Sequence, residues 1–195
     1  MESKRIDFRI LYGMIEPNSR VLDLGCGEGE LLYYLARHKN AQVQGVEINE
    51  GAIYKCVEKG VSVFHSDIDS GLCNYPDKAF DYVILNQSMQ EVKKVDLVLR
   101  EALRVGKKVI VGFPNFAHIR ARMRIFFQGK TPITESLPYR WYDTPNLHFL
   151  TISDFQSYCQ NTGVRILRAY FLGHNRTISL WPNLLALNAI FEITK

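Results

Sequence analysis

The feature that most constrains the fold is a glycine-rich loop between a short apolar run and an amphipathic stretch. Residues 21–24 read Val-Leu-Asp-Leu, and glycines follow at 25, 27 and 29 before a helical apolar stripe that begins at Leu31. The apolar run predicts a buried strand, and the glycines permit a sharp turn that brings backbone N–H groups against a ligand. A second apolar run, residues 43–48, predicts a strand with Glu47 at its carboxyl end. A carboxylate in that place accepts hydrogen bonds from the ribose hydroxyls of a nucleoside.

The charges around this loop favour one class of nucleoside ligand. A dinucleotide places its pyrophosphate on the helix N-terminus, where Asp23, Glu28 and Glu30 would oppose it. S-adenosylmethionine (SAM) carries a sulfonium and an ammonium group and no phosphate, so an acidic loop suits it. The third glycine also falls one residue short of the G-x-G-x-x-G spacing. The loop is therefore predicted to bind SAM, with a NAD site and a plain turn as the alternatives.

Composition predicts one globular domain in the cytoplasm. The chain has 195 residues with 47% hydrophobic content, enough for one sizeable core. No apolar stretch approaches 18 residues, and residues 1–5 lack the apolar segment of a signal peptide. The four cysteines have neither C-x-x-C nor zinc spacing, so we expect free thiols and no metal.

Strand-like and helix-like patterns alternate along the chain. Helices are predicted at 6–15, from 31, at 50–58, from 95 to a stop at Gly106, and from a capping box at Thr151 and Asp154 to Gly163. Strands are predicted at 21–24, 43–48, 61–65, 80–85, 109–113, 164–172 and 189–193. This order predicts an α/β fold with a doubly wound, mostly parallel sheet and an antiparallel last pair at its edge.

The order of elements resembles the class I SAM-dependent methyltransferase fold over nearly the whole chain. The resemblance implies that the loop from Asp23 to Gly29 lies at the methionine moiety and that Glu47 binds the ribose. It also implies that Asp67 binds the adenine amino group, although a cap for the following short helix is the alternative for that residue. The cofactor contacts implied in this way are Asp23, Gly25, Cys26, Gly27, Glu47, Ile48, Asp67, Ile68, Asn86 and Gln87.

Motifs in the second half narrow the resemblance to one family. The string Leu-Pro-Tyr-Arg-Trp-Tyr-Asp-Thr-Pro-Asn at 137–146 is the most specific, and Phe-Pro-Asn-Phe at 113–116 and Leu-Trp-Pro-Asn-Leu at 180–184 accompany it. Together with the glycine loop and residues 87–90, they resemble the methionine-biosynthesis family MetW. The resemblance implies a protein that binds SAM, or its demethylated product S-adenosylhomocysteine (SAH), and works beside homoserine O-acetyltransferase. It does not imply a methyl-transfer reaction.

An aromatic and basic segment at about 116–148 interrupts the alternation as an insertion in the domain. Residues 116–150 hold five Arg or Lys side chains against two acidic ones, a balance of +3. Arg, Trp and Tyr dominate protein interfaces where they cluster, so a partner surface or a substrate lid is expected. Aromatic side chains that simply cover the sheet, among solvated arginines, are the alternative.

The sequence leaves three functional classes, in this order of preference. The first is a MetW-type partner protein, and the second is a methyltransferase acting on a small molecule. The catalytic residues of the second are unknown from the sequence; candidate bases are His118, His148, Tyr142 and Asp143. The third, RNA modification, is disfavoured because a net charge of +4 is modest for nucleic-acid binding.

Overall fold

One sheet of seven strands organises the molecule, a computed structural model that describes residues 6–195. The strands are β1 (Arg20–Leu24), β2 (Gln42–Glu47), β3 (Val63–His65), β4 (Phe80–Asn86), β5 (Gly106–Pro114), β6 (Arg165–Leu172) and β7 (Asn188–Thr194). Their order across the sheet is β3-β2-β1-β4-β5-β7-β6. The strands β1 to β5 are parallel, and β7 lies antiparallel between β5 and β6. The prediction of a mostly parallel sheet with an antiparallel last pair is confirmed.

Within residues 6–195, seven α-helices accompany the sheet. They are α1 (Ile6–Met14), α2 (Glu30–Lys39), α3 (Glu50–Glu58), α4 (Val95–Val105), α5 (Ile119–Gln128), α6 (Ile152–Thr162) and α7 (Pro182–Leu185). The capping box at the start of α6 is present, with the Thr151 hydroxyl and the Asp154 carboxylate each bound to the other residue's backbone N–H. No helix among the described residues is long and apolar enough to cross a membrane.

The period-two alternation of the strands divides the core between the two faces of the sheet. In β1 and β4, Leu22, Leu24, Val83 and Leu85 pack on the face that α4 and α6 cover. The alternating residues of the same strands pack against α1, α2 and α3. Because β1, β2 and β4 are parallel, their carboxyl ends meet at one edge, where open α/β sheets bind ligands.

The sequence patterns missed α5 and α7 but placed the end of α4 correctly at Gly106. The helix α5 lies within the aromatic and basic segment. Its apolar residues are mostly exposed, so they do not form the one-sided apolar pattern by which a helix is predicted from sequence. Gly106 does end α4, but with an extended φ of −96° and as the first residue of β5. A Cβ there would lie 2.7 Å from a methyl of Val83, so the position needs a small residue rather than a left-handed one.

Candidate functional site

The loop between β1 and α2 is shaped by its glycines and by the neighbouring strand. The Gly25 N–H donates to the Val46 carbonyl at 2.8 Å, which ties the start of the loop to the end of β2. Gly25 has a φ of +79°, and a Cβ would come within 2.7 Å of the Ser88 Cβ. Gly27 has a φ of +55° and no heavy atom within 4 Å of a built Cβ, so its backbone faces open space. The loop therefore presents bare backbone to a cavity.

The Glu47 carboxylate holds this loop in place. Its Oε2 accepts from the Gly27 N–H at 2.8 Å, and its Oε1 accepts from the N–H groups of Ile48 and Asn49 at 2.8 and 2.9 Å. A carboxylate has about four lone-pair sites on its two oxygens, so these three bonds fill Oε1 and leave one site on Oε2. Glu47 can therefore organise the loop and still accept one hydrogen bond from a ligand.

Two cavities meet along this edge of the sheet. One, of about 480 Å³, lies over Asp23, Gly27 and Asn86. The other, of about 310 Å³, lies over Glu47, Ile48 and Asp67. Gly25 and Gln87 line both, so the two spaces form one cleft with an acidic end and a more apolar end. All ten residues predicted to contact a cofactor line one or both cavities: Asp23, Gly25, Cys26, Gly27, Glu47, Ile48, Asp67, Ile68, Asn86 and Gln87.

Asp23 is the buried charge of the acidic end. Its side chain projects from β1 beneath the loop and is only 5% exposed. Burial, reinforced by the nearby Glu47 carboxylate, raises the pKa of Asp23 to about 7. A cationic group in the cavity would favour the ionised form and restore a normal carboxylate.

The other end of the cleft combines exposed isoleucine with a short acidic turn. The Ile48 side chain is 59% exposed, and Ile68 is half-buried beside the same cavity. Asp67 precedes the 3-10 helix Ile68–Ser70, and its Oδ1 accepts from the Asp69 N–H at 2.9 Å. Asp67 therefore does cap the short helix, as the alternative interpretation predicted. Its side chain still lines the cavity, so capping does not remove a ligand role.

Asn86 and Gln87 end β4 in an unusual conformation. Gln87 is left-handed, with a φ of +63°, a conformation that non-glycine residues adopt mostly where the surroundings enforce it. Its amide nitrogen donates to the Asn188 Oδ1 at 3.5 Å. The Asn86 amide donates to Asp7 at 3.3 Å, while its Oδ1 is buried without a partner beside Gly112. Both side chains are held by the fold at the point where the two cavities meet.

Several lining residues were not among the predicted contacts. Phe8 from α1 and Leu31 from α2 line the acidic end, and Ser88 and Glu91 line the other. Burial, with the Glu47 charge, raises the pKa of Glu91. The α1 contribution had no signal in the sequence because it depends on how that helix packs over the sheet edge. Residues 88–91 directly follow the predicted contacts at 86 and 87. Their position after the end of β4 could therefore have indicated from the sequence that they line the cleft.

The thiols at this site are not nucleophiles. Burial raises the pKa of Cys26 well above its usual range, and the nearby Asp23 charge adds to the effect. The Cys56 Sγ lies 3.1 Å from the Gly27 carbonyl oxygen, and all four cysteines are free. Within residues 6–195, no three His, Cys, Asp or Glu side chains cluster as metal ligands would.

The four candidate bases lie in the segment between β5 and α6. His118 is the N-cap of α5 and is 8% exposed; burial and the charge of Arg120 lower its pKa. The Asp143 carboxylate accepts from the Arg140 N–H, and the Tyr142 hydroxyl accepts from the Arg140 guanidinium, each at 2.6 Å. His148 is exposed, and its backbone N–H donates to Gln90. None of the four lines the cleft between the loop and β4.

Comparison with known protein families identifies the family of this chain. The profile described as "Methionine biosynthesis protein MetW" matches residues 5–193. The chain belongs to the MetW family. The resemblance read from the sequence is thereby confirmed, and the cleft described above is that of a MetW-family protein.

Curated relatives and solved structures agree with this assignment. The chain is 36% identical over 158 residues to the "Bifunctional methionine biosynthesis protein MetXA/MetW" of Rhodopirellula baltica, covering 76% of this chain and 25% of that protein. It is 26% identical over 104 residues to phosphoethanolamine N-methyltransferase 1 of Arabidopsis thaliana, covering 50% of this chain and 21% of that one. The chain thus spans a quarter or less of the length of these relatives.

The fold is that of class I SAM-dependent methyltransferases. A SAM-dependent methyltransferase from Archaeoglobus fulgidus superposes with a TM-score of 0.73 at 18% identity, over 97% of this chain and 91% of that one. Another from Mesorhizobium loti gives 0.73 at 18% identity, over 98% and 99% of the two chains. At this level of identity the likeness establishes the fold class.

The buried Asp23 predicts a pH-dependent stability. Its pKa is about 7 in the folded chain against an ordinary value of 3.8, so the folded state binds the proton more tightly than the unfolded state. The free energy of unfolding therefore falls as pH rises from about 4 to about 7. Asp23→Asn has no carboxyl group to ionise at this position, so its free energy of unfolding should not fall in this way. We expect the variant to be more stable than the ligand-free parent by about 2–4 kcal/mol at pH 8 and by little near pH 4.

Urea unfolding at pH 4, 6 and 8 measures the difference between parent and variant. Glu50→Gln, which changes an exposed carboxylate at the start of α3, is the matched control. A gain for Asp23→Asn that stays constant over this range would contradict the assignment of Asp23 as a buried, destabilising charge.

Proposed function

We propose that the cleft binds SAM or SAH, with the amino-acid part at the acidic end and the nucleoside at the other. The observation that carries this proposal is the pairing of Asp23, buried with a raised pKa, with the open backbone of Gly27 in one cavity. An ammonium or sulfonium group there would compensate a carboxylate that makes no ion pair with any residue from 6 to 195. Asn86 and Gln87 stand beside the same space.

The nucleoside end supports the same ligand. Glu47 retains one acceptor site, on Oε2, for a ribose hydroxyl, and Ile48 and Ile68 supply apolar surface for the faces of a purine ring. Asp67 is available to accept from an exocyclic amine through the oxygen that does not cap the turn. A pyrophosphate fits this cleft poorly, since Asp23, Glu28 and Glu30 all line its acidic end.

The first test concerns Glu47. Because hydrogen bonds to a charged group contribute about 1.5–3 kcal/mol, Glu47→Ala should weaken SAM binding by about that amount in calorimetry. Glu47 also holds the glycine loop, so its loss could weaken binding without any contact to the ribose. Comparing SAH with its analogue that lacks both ribose hydroxyls separates the ribose contact from the effect on the loop. The parent should prefer SAH, and the variant should bind both equally weakly.

Glu50→Ala, an exposed acid three residues further on, is the control and should bind like the parent. Thermal melting establishes that each variant is folded. A folded Glu47→Ala variant with parental affinity for SAH would refute the placement of the ribose.

We further infer a role in methionine biosynthesis through association with homoserine O-acetyltransferase, the partner that the family resemblance implies. A relative whose name joins MetXA and MetW supports such an association. A cytoplasmic location suits this role. We assign the contact to the inserted segment at about 116–148 rather than to the cofactor cleft.

The exposed surface of that segment suits a protein partner. Trp141 is 74% exposed, and its ring meets that of Tyr142 edge-to-face with centroids 5.5 Å apart. The Arg140 guanidinium lies over the Tyr142 ring and donates to its hydroxyl. On α5, Phe126 and Phe127 are also largely exposed. Exposed aromatic clusters beside arginine are typical of binding hot spots.

The second test removes the centre of this surface. A double variant Arg140→Ala and Trp141→Ala should weaken the complex with the acetyltransferase by more than about 2 kcal/mol, with unchanged SAM affinity. Tyr54→Ala is the control, because Tyr54 on α3 is similarly exposed at 69%. Titration of the purified acetyltransferase with each variant provides the measurement. Equal binding would place the interface elsewhere, and absence of any complex with the parent would refute the partner proposal.

A second candidate function is methyl transfer to a small molecule, which the likeness to named methyltransferases favours. When bound, SAM would supply an electrophilic methyl group, and the chain would need to hold the acceptor in line with it and receive a proton. None of the four candidate bases lines the cleft, and the cysteines there are protonated. We therefore rank this function second.

The third test measures transfer directly. We expect little or no incorporation of label when the pure protein is incubated with methyl-labelled SAM and a metabolite extract. Gly27→Arg, which fills the open space at the loop, is the control for cofactor-dependent signal. Reproducible turnover by the parent that disappears in this variant would make methyl transfer the first candidate.

A further inference from the structure

A further large cavity among the described residues is separate from the cleft between the glycine loop and β4. It has a volume of about 700 Å³ and lies between the N-terminus of α5, the turn at 173–176 that follows β6, and the residues that precede β7. Leu187, in its wall, precedes Asn188, whose side chain accepts from Gln87 of the cofactor cleft. The two spaces are therefore neighbours on the same edge of the sheet.

The polar lining of this cavity is electropositive. Arg120 and Arg176 line it, and within residues 6–195 neither guanidinium group makes a hydrogen bond or an ion pair. The acid in the wall, Glu135, is already engaged by the His174 Nδ1 at 2.7 and 2.8 Å from its two oxygens. Two cationic groups thus face the same space with no anion to pair with them.

His118 adds a neutral donor to this lining. Its Nδ1 accepts from the Arg120 N–H at 3.3 Å, which places the ring proton on Nε2 in the neutral form. Burial and the Arg120 charge lower the pKa of His118, so the ring is neutral near pH 7. No described residue accepts from Nε2, and His118 lines the cavity. The Nε2–H group is therefore available to a ligand in this cavity.

The remaining wall is aliphatic. Ile119, Ile178, Leu185 and Leu187 contribute its apolar side chains. An anion without a hydrocarbon part, such as phosphate, would leave this wall uncovered, whereas an aliphatic carboxylate would cover it and pair with the arginines.

We propose that this cavity binds a small carboxylate with a short aliphatic chain, paired with Arg120 and Arg176 and accepting from the His118 ring. Arginine binds carboxylates in a bidentate manner, so two arginines that line one cavity favour a carboxylate ligand. The inference does not depend on cofactor binding, since the lining residues are distinct from those of the cofactor cleft.

The experiment uses the full chain and hexanoate as the probe, with hexanamide, butyrate and inorganic phosphate for comparison. Ligand-observed NMR and calorimetry give the affinities. We expect hexanoate to bind at least about tenfold more tightly than hexanamide, because the charge is lost in the amide. Removing two buried methylenes in butyrate should weaken binding by about tenfold, and phosphate should compete poorly.

Arg120→Gln and Arg176→Gln should each weaken hexanoate binding by about tenfold or more, since each removes a charged partner. Arg165→Gln, the same change at the opposite end of β6, is the control and should bind as the parent does. His118→Asn keeps an acceptor at the N-cap and removes the ring donor, so it should also weaken binding. All variants should retain the parental melting temperature and SAM affinity.

Equal affinity for hexanoate and hexanamide, or for hexanoate and phosphate, would overturn the proposal. So would parental hexanoate binding by both arginine variants, which would show that these side chains are only solvated. Loss of SAM affinity in the same variants would assign the cavity to the cofactor site instead. A parent that binds hexanoate but not SAM would refute the cofactor proposal and leave this one standing.

Discussion

The connection between the ends of β1 and β2 is the constraint on which the site depends. Backbone bonds from the glycine loop to Val46 and the Glu47 carboxylate bond to Gly27 hold an otherwise extended loop against the sheet. The loop can follow this path because Gly25 and Gly27 adopt positive φ values, which glycine tolerates. The same carboxylate that fixes the loop faces the ligand space, so loop geometry and ligand affinity are coupled through Glu47.

The buried Asp23 shows how stability and binding oppose each other in this cleft. Placing a carboxylate under the loop destabilises the ligand-free fold at neutral pH, because burial removes its hydration and the Glu47 charge repels it. A cationic ligand would recover that free energy on binding. The adjacent left-handed Gln87 is a second local strain at the same place. Both features are what a preorganised binding site requires rather than what a stable core prefers.

Two surfaces of different chemistry lie on the described part of the chain. The edge of the parallel strands holds the acidic cleft, whereas the segment between β5 and α6 exposes aromatic side chains and arginines. The electropositive cavity lies where these two regions meet, between α5 and the residues before β7. A small anion bound there would contact the segment that we assign to the partner and a wall that adjoins the cofactor cleft. This placement would allow metabolite, cofactor and partner to affect one another.

The sequence by itself determined the sheet and the acidic loop, because both depend on local pattern. Period-two apolar runs define strands, and glycines between a strand and a helix define a ligand loop whichever way the rest packs. Ten predicted contacts converged on one cleft because parallel strands end at the same edge. Only the tertiary structure decided the rest. The pKa of Asp23 depends on burial. The helix α5 could not be recognised from its apolar pattern because its aromatic residues are exposed. The cationic cavity is lined by His118, Glu135 and Arg176, which are far apart in sequence. Such juxtapositions arise from chain packing, which no local window of sequence contains.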